Sequence, residues 1–118
     1  MDYRIPVPDI EFNPPVYYCK RRTKPFSLDG NIFKEFWDDI PFTNAFVDIE
    51  GDKKEPPFYE TQAKMQWDEE NFYFAAVLHG QEIWANLTER DSVIFYDNDF
   101  EIFIDPDSDT HGYFEFEM

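Results

Sequence analysis

The clearest alternation of hydrophobic and polar positions lies near the end of the chain. Phe100, Ile102 and Ile104 alternate with Glu101 and Phe103, and further on Phe114, Phe116 and Met118 alternate with Tyr113, Glu115 and Glu117. A period of two sends successive side chains to opposite faces, so both stretches read as half-buried β-strands. Between them stands Asp105-Pro106-Asp107-Ser108-Asp109. Pro106 fixes φ and offers no ladder donor, so the chain turns there.

Upstream, Thr61, Ala63, Met65 and Trp67 alternate with polar neighbours. Asp68-Glu69-Glu70-Asn71 then turns the chain, and residues 72–78 return as a nearly continuous apolar run. This predicts a hairpin whose second arm is the central strand of a sheet. Short strands are expected at 16–19, 46–49 and 93–96. Asp29-Gly30 is a turn dipeptide, after which Asn31 caps a short helix through Trp37, placing Ile32, Phe33, Phe36 and Trp37 on one face. Trp37 reads as a core plug where that helix meets a sheet, and Pro41 ends the helix. Residues 79–89 form a polar excursion around Trp84. Pro6, Pro8, Pro14 and Pro15 make residues 1–24 an extended arm, with the folded domain at 25–118. Short strands, frequent turns and one small helix specify an all-β fold, an antiparallel β-sandwich. The pattern stops inside a strand at Met118, so the domain is expected to be truncated at its C-terminus.

Composition sharpens this picture. Aromatic residues make up 20% of the 118, with 14 Phe, 7 Tyr and 3 Trp, which favours half-buried pleated surfaces. The formal charge of −16 repels phosphate backbones and anionic lipid, which argues against nucleic acid and membrane surfaces as partners and leaves cations and neutral polar ligands. The basic cluster Lys20-Arg21-Arg22 is therefore expected to pair with the chain's own carboxylates. Cys19 is the single cysteine, so neither an internal disulfide nor a cysteine-cluster metal site is available. No apolar run approaches a membrane span, and the first residues do not open as a signal peptide; an export leader, if the natural protein has one, is absent from the sequence.

Catalytic signatures are missing. There is no Ser/His/Asp order, no Gly-rich phosphate loop and no His-rich metal motif, so the chain reads as non-enzymatic, with a paired-acid glycosidase as a distant alternative. His79 and His111 stand in expected loops without partners at ligand spacing. Asp105, Asp107 and Asp109 offer oxygen ligands at alternate positions, suited to a hard cation such as calcium, although Thr110 and Phe116 break the helix-loop-helix calcium pattern. An ordinary acidic hairpin turn explains the same residues. Asp48, Glu50 and Asp52 alternate likewise.

Leu28-Asp29-Gly30, the aromatic segment around Trp37, Met65-Gln66-Trp67-Asp68 before Phe72-Tyr73-Phe74, Asp99-Phe100-Glu101-Ile102-Phe103-Ile104-Asp105, and Tyr113-Phe114-Glu115-Phe116 follow one another in an order that resembles family 9 carbohydrate-binding modules. The resemblance covers roughly residues 25–118 and the first part of the usual domain. It implies an immunoglobulin-like or jelly-roll sandwich, non-catalytic sugar binding and commonly bound calcium. The sugars implied are oligosaccharides or polysaccharides, in the best-known members the ends of plant chains. The host proteins are exported by bacteria, which places this one outside the cell or in the periplasm.

Glu101 matches the family's sugar-binding carboxylate. Direct register puts Phe95 at the stacking tryptophan, whereas Trp84 is the tryptophan of the preceding segment and is preferred here. Asp99, Asn98 and Arg90 supply further polar groups, since sugars are read by an aromatic face together with hydrogen-bonding side chains. Glu117 stands near a family arginine and departs from the pattern; the second stacking tryptophan belongs to a segment beyond Met118. A structural or protein-interaction sandwich that has lost the sugar site is the alternative. Related sandwich domains hold haem through Met and His, for which Met65 and His111 qualify by residue type alone.

Overall fold

The computed structural model describes residues 13–118. The first half of the expected arm, residues 1–12, lies outside them. The described residues form two units, dividing between His79 and Gly80.

Unit one is built on a three-stranded sheet in the order β1 (Lys20–Arg21), β2 (Thr61–Trp67), β3 (Phe72–Leu78). β2 and β3 form the expected hairpin, antiparallel, with Gln62 opposite Val77, Lys64 opposite Ala75 and Gln66 opposite Tyr73. β2 is the middle strand, not the apolar β3. The polar-looking arm takes β1 on its other edge, in parallel, at Lys20–Gln66 and Arg21–Trp67. The apolar run in β3 thus marks where its side chains go, not its place in the order.

The core sits on the face carrying Tyr73, Ala75 and Val77, against Ile32, Phe36, Trp37 and Ile40. Phe36 packs edge-on to Trp37 at 5.0 Å and to Tyr73 at 5.2 Å. Trp37 is the plug expected. The segment bearing it is a single 3-10 turn, Glu35–Trp37, and not the helix expected over 31–37. Two causes are visible. Pro41 has no N–H to give the Trp37 carbonyl, so that carbonyl takes the N–H of Ile40 at 3.2 Å instead. Lys64 Nζ also donates to it, at 3.0 Å, and Gln66 Nε2 donates to the Phe36 carbonyl at 2.8 Å. Gln62 Nε2 donates to the Thr43 carbonyl at 2.9 Å. All three polar side chains of β2 on this face therefore bind backbone oxygens. Phe33, with no helix to carry it round, points outward, and Ile40 takes its place in the core. The turn at Gly30 is as expected: its φ of +80° is left-handed, which favours glycine there.

The edge of β2 beyond β1 is closed by two other segments. Thr43 N–H donates to the Ala63 carbonyl at 2.8 Å and Phe46 N–H to that of Thr61 at 2.9 Å. The Ala63 N–H donates to Thr43 Oγ1 at 3.1 Å. Tyr17 fills the remaining gap, its hydroxyl accepting from Met65 N–H at 3.2 Å and donating to the Pro41 carbonyl at 2.6 Å. The strands expected at 16–19 and 46–49 are accordingly irregular segments held to a strand by isolated bonds.

Asp68 organises the β2–β3 turn. Its Oδ1 accepts the N–H groups of Glu70 and Asn71, at 3.0 and 2.8 Å. Its Oδ2 accepts Arg22 Nε at 2.6 Å and the Tyr73 hydroxyl at 2.8 Å. Arg21 makes a bidentate pair with Glu69. The two arginines thus serve the chain's own carboxylates.

Unit two contains β4 (Glu101–Ile104) and β5 (Phe114–Glu117), an antiparallel pair extended by mutual backbone bonds between Phe100 and Met118. Residues 93–96, expected as a strand, hold a 3-10 turn at Ile94–Tyr96. With strands in two sheets, short 3-10 turns and no α-helix among the described residues, the chain is all-β, as its hydrophobic pattern requires.

Two outcomes follow. Trp37→Ala empties the core of unit one and is expected to cost about 3–5 kcal/mol, read by urea denaturation followed at β-sheet circular dichroism. The Arg22 guanidinium, the turn N–H groups and the Tyr73 hydroxyl hold the Asp68 carboxyl well below the usual carboxylate range. A lowered folded value means that its contribution is complete above the unfolded value of about 4 and is lost as pH falls below it. Melting temperature measured between pH 6 and 2 should therefore drop, and Asp68→Asn should flatten that drop.

Candidate functional site

The β4–β5 register places the predicted residues. Glu101 lies opposite Glu117, Ile102 opposite Phe116, Phe103 opposite Glu115 and Ile104 opposite Phe114. One face is therefore apolar throughout, with Phe100, Ile102, Ile104, Phe114, Phe116 and Met118. The other carries Glu101, Glu115 and Glu117 with the ring pair Phe103–Tyr113 at 5.8 Å. That second face presents Glu101 to solvent among other carboxylates.

Asp99, Glu101 and Glu117 each bring an oxygen to within 4.8 Å of the others. Burial and then the charges of Asp99, Glu117 and Glu115 push the Glu101 carboxyl above its ordinary value. Asp99 Oδ2 is buried and takes no hydrogen bond among the described residues. Such an arrangement is an acceptor set short of donors, chemically suited to hydroxyl hydrogens or to a hard cation. Glu117 could be joined to this group only through the strand register, which a sequence does not print.

Trp84 lies in an irregular stretch and is 45% exposed. The structure adds a residue absent from the sequence-based candidates. Asp97 Oδ2 accepts the N–H groups of both Asn86 and Leu87, the latter at 2.7 Å. Two consecutive amides on one carboxylate oxygen tie the Trp84 stretch to the segment leading into β4. The only sequence signal was an acid four residues before Glu101, indistinguishable from its acidic neighbours. Phe95 is 58% exposed and stacks obliquely on Tyr96 at 4.8 Å. Asn98 is exposed, and Arg90 extends into solvent, with the Asp91 carboxylate 3.7 Å away.

Asp105, Asp107 and Asp109 also gather, with ligand oxygens within 4.8 Å of one another. Asp105 accepts the N–H of Ser108 at 3.1 Å and of Thr110 at 2.8 Å, one on each oxygen. Asp109 accepts the N–H of His111 at 2.7 Å. These bonds hold Ser108 and Thr110 in left-handed backbone, φ +60° and +66°. The turn is thus organised by its own carboxylates, and each oxygen keeps a further lone pair, so the set fits a calcium-like ion. Asp48 caps the N–H of Glu50 at 2.8 Å and is not brought together with Glu50 and Asp52 as a ligand group. His111 is bonded into the acidic turn and His79 to the Glu60 carbonyl. Met65 is a residue of β2.

Asp97→Ala should release the Trp84 stretch. Amide hydrogen exchange at Asn86 and Leu87 is expected to speed up by tenfold or more, corresponding to about 1.4 kcal/mol or above for two charge-assisted bonds, while exchange in β2 stays unchanged.

No curated protein and no solved structure matches the chain. Residues 28–118, more than half of it, match the family described as carbohydrate family 9 binding domain-like. The all-β architecture agrees with that match, and the chain belongs to the carbohydrate family 9 binding domain-like family.

Proposed function

We propose that the chain is a non-catalytic carbohydrate-binding module that contacts a sugar through Glu101 and an aromatic face of unit two, within a longer protein exported by bacteria. The observation that carries this reading is Glu101 itself: a carboxylate on the open face of β4, raised in basicity by burial and by its acidic neighbours. Such a group accepts hydrogen bonds from sugar hydroxyls strongly. Trp84, half exposed and anchored through Asp97, supplies the stacking face, with Phe95 as a second exposed ring of the unit. Asp99 and Asn98 adjoin the carboxylate in sequence, and Arg90 is free to swing towards a ligand.

A structural calcium ion belongs to the same proposal, held by Asp105, Asp107 and Asp109. When bound it would neutralise a turn in which three carboxylates repel one another. The residues themselves already set the turn's geometry, so the ion adds stability and not shape.

One observation favours the other reading, an interaction or structural sandwich without a sugar site. Glu117 stands directly opposite Glu101, where the family resemblance puts an arginine, so a donor is replaced by an acceptor.

Tryptophan emission titrated with mono- and disaccharides, with and without calcium, separates the two. A saturable shift that weakens at least tenfold in Glu101→Ala and in Trp84→Ala is the expected result; about 1.4 kcal/mol per variant suffices for it. A calcium-dependent rise in melting temperature without any response to sugar would select the structural reading.

A further inference from the structure

Unit one carries concave surface of its own. Beside the β2–β3 turn lies a groove of about 420 Å³, lined by Phe26, Leu28 and Tyr73 and by Arg22, Glu70 and Asn71. A second hollow, of about 510 Å³, shares Arg22, Asp68 and Glu70 with it, so the two adjoin. Their walls are preorganised. Arg22 is fixed by Asp68 and by the Lys24 carbonyl, at 2.6 and 2.9 Å. Glu70 and Asn71 sit on a turn whose amides are held by Asp68 Oδ1. Phe26 leans on the Tyr73 ring at 5.5 Å yet remains 56% exposed, and Leu28 58%.

Hydrogen-bonding capacity is left over in this groove. Asp68 is saturated by four bonds, but among the described residues the Arg22 guanidinium donates from its Nε and Nη1 and leaves Nη2 without a hydrogen bond. The Glu70 carboxylate has no side-chain partner among the described residues. The Asn71 side-chain amide donates to the Tyr73 hydroxyl at 3.3 Å, and its Oδ1 has no partner among the described residues. An apolar, partly aromatic wall with one donor and two acceptors beside it suits a ligand that is apolar on its C–H face and hydroxylated at its edge. The charges decide which such ligand. Arg22 is already balanced by Asp68, so Glu70 leaves the groove negative, within a chain of net −16. An anionic ring would be repelled.

We propose that this groove is a second carbohydrate-contact site, taking one neutral pyranose ring and discriminating against uronic acids. It shares with the proposed function only the class of ligand, and its residues are all in unit one, so either site can fail without the other.

The test is a nitrogen-15 amide-shift titration of the whole chain with methyl β-glucopyranoside, cellobiose and, as the charged counterpart, glucuronate. Saturable shifts are expected at residues 22–28 and 68–73 with the neutral sugars and not with glucuronate. Glu70→Ala and Leu28→Ala both replace exposed side chains, so the fold should survive. Each is expected to weaken those shifts about tenfold while leaving any response in unit two as it was. Shifts confined to unit two, equal binding of glucuronate, or indifference to both substitutions would overturn the second site. Loss of the unit-two response alone, in Glu101→Ala, would leave it standing.

Discussion

Unit one depends on three side chains that donate across the sheet face. Gln62, Lys64 and Gln66 stand at alternate positions of β2 and bond the carbonyls of Thr43, Trp37 and Phe36. The 3-10 turn gives the Trp37 carbonyl only the Ile40 N–H and leaves that of Phe36 to the Gln66 side chain, and a buried carbonyl left unbonded would cost about 1–3 kcal/mol. The donors from β2 remove that cost, so Phe36 and Trp37 can be pressed onto the sheet with the backbone that carries them. Lys64 bears the burden of this arrangement. It is almost wholly buried, burial drives its pKa down, and the Phe42 ring 4.5 Å from its ammonium offsets part of the lost hydration.

Carboxylates do comparable work at each turn. Asp68, Asp97, Asp105 and Asp109 all accept backbone N–H groups nearby or across a loop. Much of the acidity that the composition presents as surface charge is therefore turn architecture. Four acids without such donors bear on ligand contact. Glu101, Asp99 and Glu117 face one another across β4 and β5, and Glu70 faces the groove of unit one. An acid that organises nothing is available to a ligand, and both candidate contact surfaces are built around such acids.

The hydrophobic pattern located β2, β4 and β5 because a period of two survives in any sheet with distinct faces, and β3 as a continuous apolar run after a turn. The family order was legible from the acid-bearing strand 99–105 and the aromatic segment at Trp37. What could not be read was where polar side chains go. Gln62, Lys64 and Gln66 look like a solvated face, since alternation distinguishes two faces without saying that one is lined with carbonyls. The helix expected over 31–37 has good capping and spacing; it fails because Pro41 withholds an N–H and the sheet supplies donors instead. Glu117 near Glu101 needed strand register, and Asp97 differs from its neighbours only in having two amides within reach. The groove of unit one joins residues 22–28 to 68–73, a proximity created by the short parallel pairing of β1 with β2.

Tyr17 gives the sheet a property that no strand count conveys. Along the outer edge of β2, bonds come from β1, from a lone phenolic hydroxyl and from the 43–46 segment in succession. A foreign strand seeking that edge would have to displace three separate pieces of chain at once, each anchored elsewhere. Edges covered by one continuous neighbour can be peeled, whereas a patchwork has no single end from which to start. For an aromatic-rich chain whose β3 carries apolar side chains on both faces, such a patchwork guards that edge of the sheet against templated self-association.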